Sequence, residues 1–303
     1  MATTLSIASL ASSEVLTKLE TPVLLQLHEQ MTIPSLLNNA EAWNLLVKEQ
    51  KEIEQTEIMC LKNLFNLPSK TPTPAIIYTL GTLYTNIRID KMQLLYLHRI
   101  LNKEETHWKK RILTELEQLN LGWYKGIKST LSKYKLEENF NNIKTTRTID
   151  WKNQVIAATE KSNQKRLLEE CYKKEDNESV PKTKTSHIVH KLESNQYRRE
   201  PCREIMSLTK RETKILIIAR FNMLECGNNF KGTMNELCLN CNTKDTEEHR
   251  LNECLNYRNI NYVDHDETIP FSSIYSEDLT ILKSIMERIG TVWNLKTGLG
   301  SMN

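Results

Sequence analysis

Four residues near the end of the chain have the types and spacing of a metal site. The segment CLNCNTKDTEEHRLNEC sets Cys238, Cys241, His249 and Cys254 in the pattern C-x2-C-x7-H-x4-C. Zinc takes thiolate and imidazole ligands in tetrahedral sites. A two-residue gap lets a tight turn bring Cys238 and Cys241 to one side of an ion. The residues NTKDTEE then cross to a short helix that places His249, and Cys254 closes the site a little over one helical turn later. The 303-residue chain has seven cysteines and seven histidines, so an ordered foursome within 17 positions is a poor product of chance. A Cys3His set leaves no open coordination position, and the expected Zn2+ is structural. Cys60, Cys171, Cys202 and Cys226 lack partners at metal spacing and read as buried or incidental thiols. An odd number of cysteines, clustered around a histidine, implies a reducing compartment, nuclear or cytoplasmic, rather than a disulfide framework.

A second pattern is electrostatic. The net charge of +3 is the sum of −3 over residues 1–87, +6 over 88–135, −1 over 136–181, +6 over 182–220 and −5 over 221–303. The two basic segments are candidate nucleic-acid surfaces. In the first, Trp108, Trp123 and Tyr124 are interleaved with Lys109, Lys110, Arg111, Lys125 and Lys128, a mix in which rings stack on bases and cations meet phosphates. Core aromatics beside solvated lysines would give the same text. Lys109, Lys110, Arg111, Arg198, Arg199, Lys231 and Arg250 are the expected phosphate contacts.

The elements that must position these groups read as mainly α. Eight glycines and eight prolines are too few for a turn-rich β protein, and Leu, Lys, Glu, Gln and Asn abound. A helix is expected from near Pro22. Another runs within 42–67, with Ile53, Thr56, Cys60, Leu64 and Leu67 as its apolar stripe and Pro68 as its stop. The run from Ile76 to Asn102 reads as one helical unit with Leu94, Leu97, Leu101, Tyr96 and Ile100 facing a core, and His98 as a packed or capping side chain. Residues 107–136 read as helical with polar interruptions. A last helix spans roughly 203–225, with Ile215, Leu216, Ile218 and Ala219 on one face and Lys210, Arg211, Lys214 and Arg220 on the other. The expected division is a helical region over 1–86, a basic helical connector over 87–172, a linker at 173–186, and a C-terminal helical region over 187–303 carrying the zinc knuckle at 238–254.

Several chemistries have no residues to carry them. There is no phosphate loop, no dinucleotide-binding glycine pattern and no nucleophile elbow. Two-metal polymerases need paired carboxylates, and the nearest text, YVDHDE, separates Asp264 from Asp266. No small-molecule substrate is indicated. No apolar run is long enough for a membrane span, and MATTLSIASLASSEVL lacks the basic start of a secretory signal.

Much of the chain resembles the region downstream of the catalytic palm in non-LTR (LINE-type) retrotransposon reverse transcriptases. TIPSLLNNAEAW followed by KEIEQTEIMCLKNLFNLPSKTPTPAIIYTLG is similar to the thumb. IRIDKMQLLYLHRILN is similar to the helix after it. KRETKILIIARFNMLECGNNFKG, leading to EEHRLNEC, is similar to the C-terminal cysteine-rich segment. The likeness covers about residues 20 to 260 in the same order. It departs from the family at Asn38 and Asn39, where aromatic or small residues are usual, and in lacking the fingers, the palm and every catalytic Asp. The resemblance implies a helical thumb-like bundle, with Ile53 to Leu67 as its helix, that holds a template–primer duplex. It also implies a C-terminal region that binds element RNA or target DNA, with knuckle ligands matching the family's one for one. The expected function is thus a non-catalytic nucleic-acid-binding remnant or fragment of an RNA-directed DNA polymerase. The alternative is a zinc-containing helical protein-interaction module without a nucleic-acid role, which the −5 charge around the knuckle favours.

Overall fold

The computed structural model describes residues 19–136, 140–175, 178–181, 189, 203–226, 236–258, 269–276 and 278–293. The protein is mainly helical. Helix α1 (Thr21–Leu27) passes through a π turn (His28–Thr32) into α2 (Ile33–Leu36). There follow α3 (Val47–Leu64), α4 (Thr73–Leu80), α5 (Thr85–Leu101), α6 (Trp108–Leu119), α7 (Gly122–Lys133), α8 (Phe140–Thr145) and α9 (Thr148–Cys171). An antiparallel hairpin of β1 (Tyr172–Glu175) and β2 (Glu178–Pro181) occupies the start of the expected linker. Helices α10 (Lys210–Arg220), α11 (Leu255–Arg258) and α12 (Leu279–Val292) complete the chain, with 3-10 turns at Ala40–Ala42, Arg203–Ser207 and Phe271–Tyr275.

Helix endings explain where the expected units divide. In a chain poor in glycine, asparagine supplies most of the left-handed residues. Asn66, Gly81, Asn120, Lys135 and Asn222 have φ between 49° and 63°. At each, the next residue donates its N–H to the carbonyl five positions back, as Leu67 does to Lys62 and Leu121 to Leu116. This is the helix-ending bond pattern that a left-handed residue permits. Gly81 therefore splits the expected unit 76–102 into α4 and α5, and Asn120 splits 107–136 into α6 and α7.

Two cores result. One is local: Leu94, Leu97, Ile100 and Leu101 of α5 pack with Leu113, Ile127, Leu131, Trp151 and Val155. His98 is buried there, its Nε2 2.9 Å from the Thr146 carbonyl and its ring stacked on Trp151. The other core joins the two ends of the chain, from Leu24 through Leu61, Ile76 and Leu80 to Ile215, Ile217, Ile285 and Ile289. Main-chain bonds lock this closure: Thr21 N–H donates to Leu208 O at 2.8 Å, and Lys210 N–H to Leu19 O at 3.0 Å. The regions 1–86 and 187–303, adjacent in neither sequence nor expectation, thus share one interior.

Two details differ from the periodicity reading. On α3 the buried stripe is Glu57, Ile58, Leu61 and Leu64, while Ile53, Thr56 and Cys60 lie half-buried at its edge. A buried carboxylate accounts for the rotation. Glu57 accepts from Thr85 Oγ1, lies 3.4 Å from His28 Nε2 and 3.8 Å from Arg88, and Arg88 also forks onto Glu29 through two 2.8 Å bonds. Helix α10 is not two-faced. Ile215 to Ala219 are all buried, and Lys210 and Arg220 are buried with them. The α10 helix runs through the shared core, and of its expected polar face only Arg211 is exposed, with Lys214 half-buried.

Candidate functional site

The cysteine segment begins with a tight reversal. Leu237 and Lys244 pair as an antiparallel bridge, Cys238 N–H donates to Thr243 O at 2.7 Å, and Asn242 N–H donates to Cys238 O at 2.9 Å. Asn242, at φ 63°, turns the chain. This turn places Cys238 and Cys241 side by side. The chain then enters a helical turn whose first free N–H groups are met by Thr246, which accepts from His249 N–H at 3.1 Å.

The spacing H-x4-C needs a special helix. Five residues of α-helix rotate a side chain about 140° away from the starting face. Here His249–Glu253 is a π turn, and Cys254 N–H donates to His249 O at 2.8 Å. The wider turn returns Cys254 to the face of His249. Isolated π turns of this kind recur at functional sites.

The ligand atoms of Cys238, Cys241, His249 and Cys254 all lie within 4.8 Å of one another. Cys238 Sγ and Cys254 Sγ are 3.9 Å apart, and Cys241 Sγ is 3.1 Å from His249 Nε2. With metal–sulfur bonds of about 2.3 Å, a tetrahedral zinc site has sulfurs roughly 3.8 Å apart, so the cage fits one ion of that size. The imidazole presents Nε2 to the thiols, and Nδ1 lies 3.2 Å from Glu253 Oε2. That carboxylate fixes the ring and leaves Nε2 free to ligate, as partners behind metal-bound histidines do. The Thr243 hydroxyl and backbone hydrogen-bond the Cys241 thiol and pull it down to about 6. Burial works against a charge on His249, but hydrogen bonds with Cys238 and Glu253 and the charge of Cys241 outweigh it and raise the imidazole above its ordinary value. Thr243 and Glu253 were not among the expected site residues. Only the i, i+4 spacing of Glu253 from His249 signals it in the sequence.

The knuckle is tied to the shared core. Leu251 is buried in that core, Arg288 donates to Leu251 O at 3.1 Å, and Asn252 Nδ2 donates to Ile269 O at 2.8 Å.

The expected phosphate contacts fare unequally. Arg111 is exposed, and Lys109 is half-buried with Nζ 5.1 Å from the Tyr96 ring and 5.3 Å from the Trp108 ring. Lys110 is buried, donating to Leu101 O at 3.0 Å, and is therefore withdrawn from solvent. Arg250 is also committed inward: it forks onto Asp245 at 2.5 and 2.6 Å and lies against the Tyr257 and Trp293 rings. Arg198, Arg199 and Lys231 lie outside the described residues, as do Asp264 and Asp266. Among the interleaved aromatics, Tyr124 is core, Trp123 is half-buried with its N–H on Glu41 O, and Trp108 is 61% exposed. Sequence reading missed Arg99, which is exposed and 5.2 Å from the Tyr96 ring. Arg99, Tyr96, Lys109 and Trp108 thus form one aromatic and cationic face across α5 and α6.

No described helix is long and apolar enough to cross a membrane. No protein-family model, curated protein or solved structure matches the chain.

Proposed function

We propose that this chain is a non-catalytic nucleic-acid-binding unit, equivalent to the thumb and C-terminal zinc region of a non-LTR retrotransposon reverse transcriptase. The observation that carries the binding role is the α5–α6 face. Trp108 offers an exposed ring, Tyr96 carries two cations, and Arg99, Lys109 and Arg111 supply charge beside it. Stacking on rings and phosphate neutralisation by neighbouring cations is the chemistry that grips single strands. The co-linear motifs from TIPSLL to EEHRLNEC support the retrotransposon assignment.

In this reading one zinc ion is held by Cys238, Cys241, His249 and Cys254. Its role is structural: it cross-links the turn at Cys238–Cys241 to the π turn and so holds Leu251 in the shared core. In the thumb-like region, α1 and α4 are packed against α10. No paired carboxylates are available, and no nucleotide incorporation is expected on a primed template.

Fluorescence anisotropy of labelled RNA and single-stranded DNA at low and moderate salt tests the binding role. Binding should weaken steeply with salt, and flat anisotropy at low salt would reject the proposal. Mass spectrometry of the native protein should find one zinc per chain. A second reading, protein docking at the knuckle, is favoured by Leu239, which is 88% exposed at its tip. Capture of a specific partner from nuclease-treated lysate, lost on Leu239→Ser, would favour it.

A further inference from the structure

A cavity of about 240 Å³ opens between the strand-like segment after the Ala40–Ala42 turn and helices α5 and α7. Its walls include the indoles of Trp43 and Trp123, the side chains of Asn44 and Gln50, and Asp90 and Lys133. It is half open to solvent and lined chiefly by polar atoms, unlike a packing defect between helices. The volume lies just under the roughly 300 Å³ at which drug-sized sites begin. It suits a single planar heterocycle and excludes a whole nucleotide with its sugar and phosphate.

The polar groups are held in place. Asp90 Oδ2 accepts from Lys133 Nζ at 2.6 Å and from the Tyr134 hydroxyl at 2.9 Å. Gln93 anchors the rim by donating to Trp43 O at 2.7 Å. Trp123 is fixed by its bond to Glu41 O and by an edge-to-face contact with Tyr96, whose centroid lies 6.0 Å away. That contact sets a cavity-wall residue beside the cationic face, because Tyr96 is the ring that Arg99 and Lys109 cover. A strand whose phosphates meet Arg99 and Lys109 lies one ring away from Trp123, which lines the cavity with Trp43, Asn44 and Gln50. Those are the groups that stack an unpaired base and hydrogen-bond its edge.

We infer that the Trp43–Trp123 cavity receives one unstacked nucleobase of a single strand bound along the α5–α6 face. The inference rests on the nucleic-acid-binding reading and adds to it a site for the base itself.

Gly126 provides a plug. It lies in α7, and a Cβ there would stand 3.3 Å from Asn44 Oδ1. Gly126 lines the cavity, a Cβ there has only the exposed Asn44 within 4 Å, and Gly126→Leu, compatible with helix, is expected to fill the space. Full-length wild type, Gly126→Leu and Trp108→Ala would be compared on a thymidine 12-mer and on an abasic strand of equal length, with thermal melts to confirm folding. The expected result is a fivefold or greater loss of 12-mer affinity for Gly126→Leu, unchanged affinity for the abasic strand and an unchanged salt slope. Equal affinities of wild type and folded Gly126→Leu for the 12-mer would overturn the base site while leaving the nucleic-acid reading intact. Absence of wild-type binding to either strand would overturn both. Should Gly126→Leu melt early, Gln50→Ala at the cavity wall is the second variant, with the same two outcomes on the same strands.

Discussion

Residues 88–135 and 182–220 carry the same net charge of +6, yet they differ in how many cations they leave exposed among the described residues. In the first segment Arg99, Arg111, Lys125 and Lys128 are exposed, and Lys109 rests on two aromatic rings at the surface. In the second, Lys210 and Arg220 are buried in the core that joins the chain ends, and Arg220 Nε donates to Ile274 O at 2.9 Å. The difference comes from what each helix packs against. Helices α5 to α7 build a local core on one side and leave the other to water. Helix α10 packs against α1, α4 and α12, so Lys210 and Arg220 are drawn inward while Arg211 stays exposed. Net charge of a segment therefore measures a binding surface only when the helix has an outer face.

The comparison can be broken most forcefully at the knuckle, whose segment is acidic. Chelation, or Cys238→Ser, should abolish stoichiometric zinc and lower the melting temperature by roughly 5 °C, the equivalent of about 3 kcal/mol in a protein of this size. Calorimetry reads the shift. Oligonucleotide binding to the α5–α6 face should survive, and its loss on chelation would place the binding surface at the knuckle instead. Arg250→Ala removes the partner that forks onto Asp245, which is 3% exposed. Breaking a buried pair of this kind costs about 3–5 kcal/mol. Denaturant titration should show that loss while the salt slope of binding stays the same.

On the open face the expectations reverse. Trp108→Ala should cost about 1–3 kcal/mol of single-strand affinity with stability nearly unchanged, measured by anisotropy beside a thermal melt. Lys109→Ala should lower the logarithmic salt slope by about 0.7 on a single strand. A drop in stability without a change in slope would assign Lys109 to packing. The smallest effect concerns pH. Burial, with the nearby charge of Lys214, holds the Lys210 ammonium down at about 8, against 10.5 ordinarily. Between those values the unfolded chain binds a proton that the folded chain has released, so this group's contribution to stability rises with pH through that window and is least favourable below it. Lys210→Met should raise the melting temperature at pH 7 and flatten the rise between pH 8 and 10.5.

Much of the site was legible because its signal is local. The four clustered Cys and His residues fall within one short segment, and their spacing carries the turn and the helical return. The need for a π turn was not visible, since a five-residue step names a distance along the chain and not the bond pattern that closes it. The helical class was legible from composition, and α5 from the spacing of Leu94, Leu97 and Leu101. The division at Asn120 was missed because asparagine reads as an ordinary polar interruption until it is seen at positive φ. The buried positions of Glu57, Lys110 and Lys210 were missed for a common reason: periodicity sorts residues by type, and a charged side chain enters an interior only when a distant partner meets it there. For Glu57 those partners are His28 in the π turn after α1 and Thr85 and Arg88 in the first turn of α5, two other parts of the chain.

The sequence alone determined the elements whose information is short-range: helix against strand, the order of the ligands, and the sign of charge in each segment. The tertiary structure decided everything that depends on which faces meet. It packed α10 on α1 and α4, left Arg99 and Arg111 exposed while burying Lys210 and Arg220, and brought Trp43 and Trp123 to the wall of one cavity. Those outcomes arise from contacts between residues tens to hundreds of positions apart, and neither composition nor spacing within a segment encodes them.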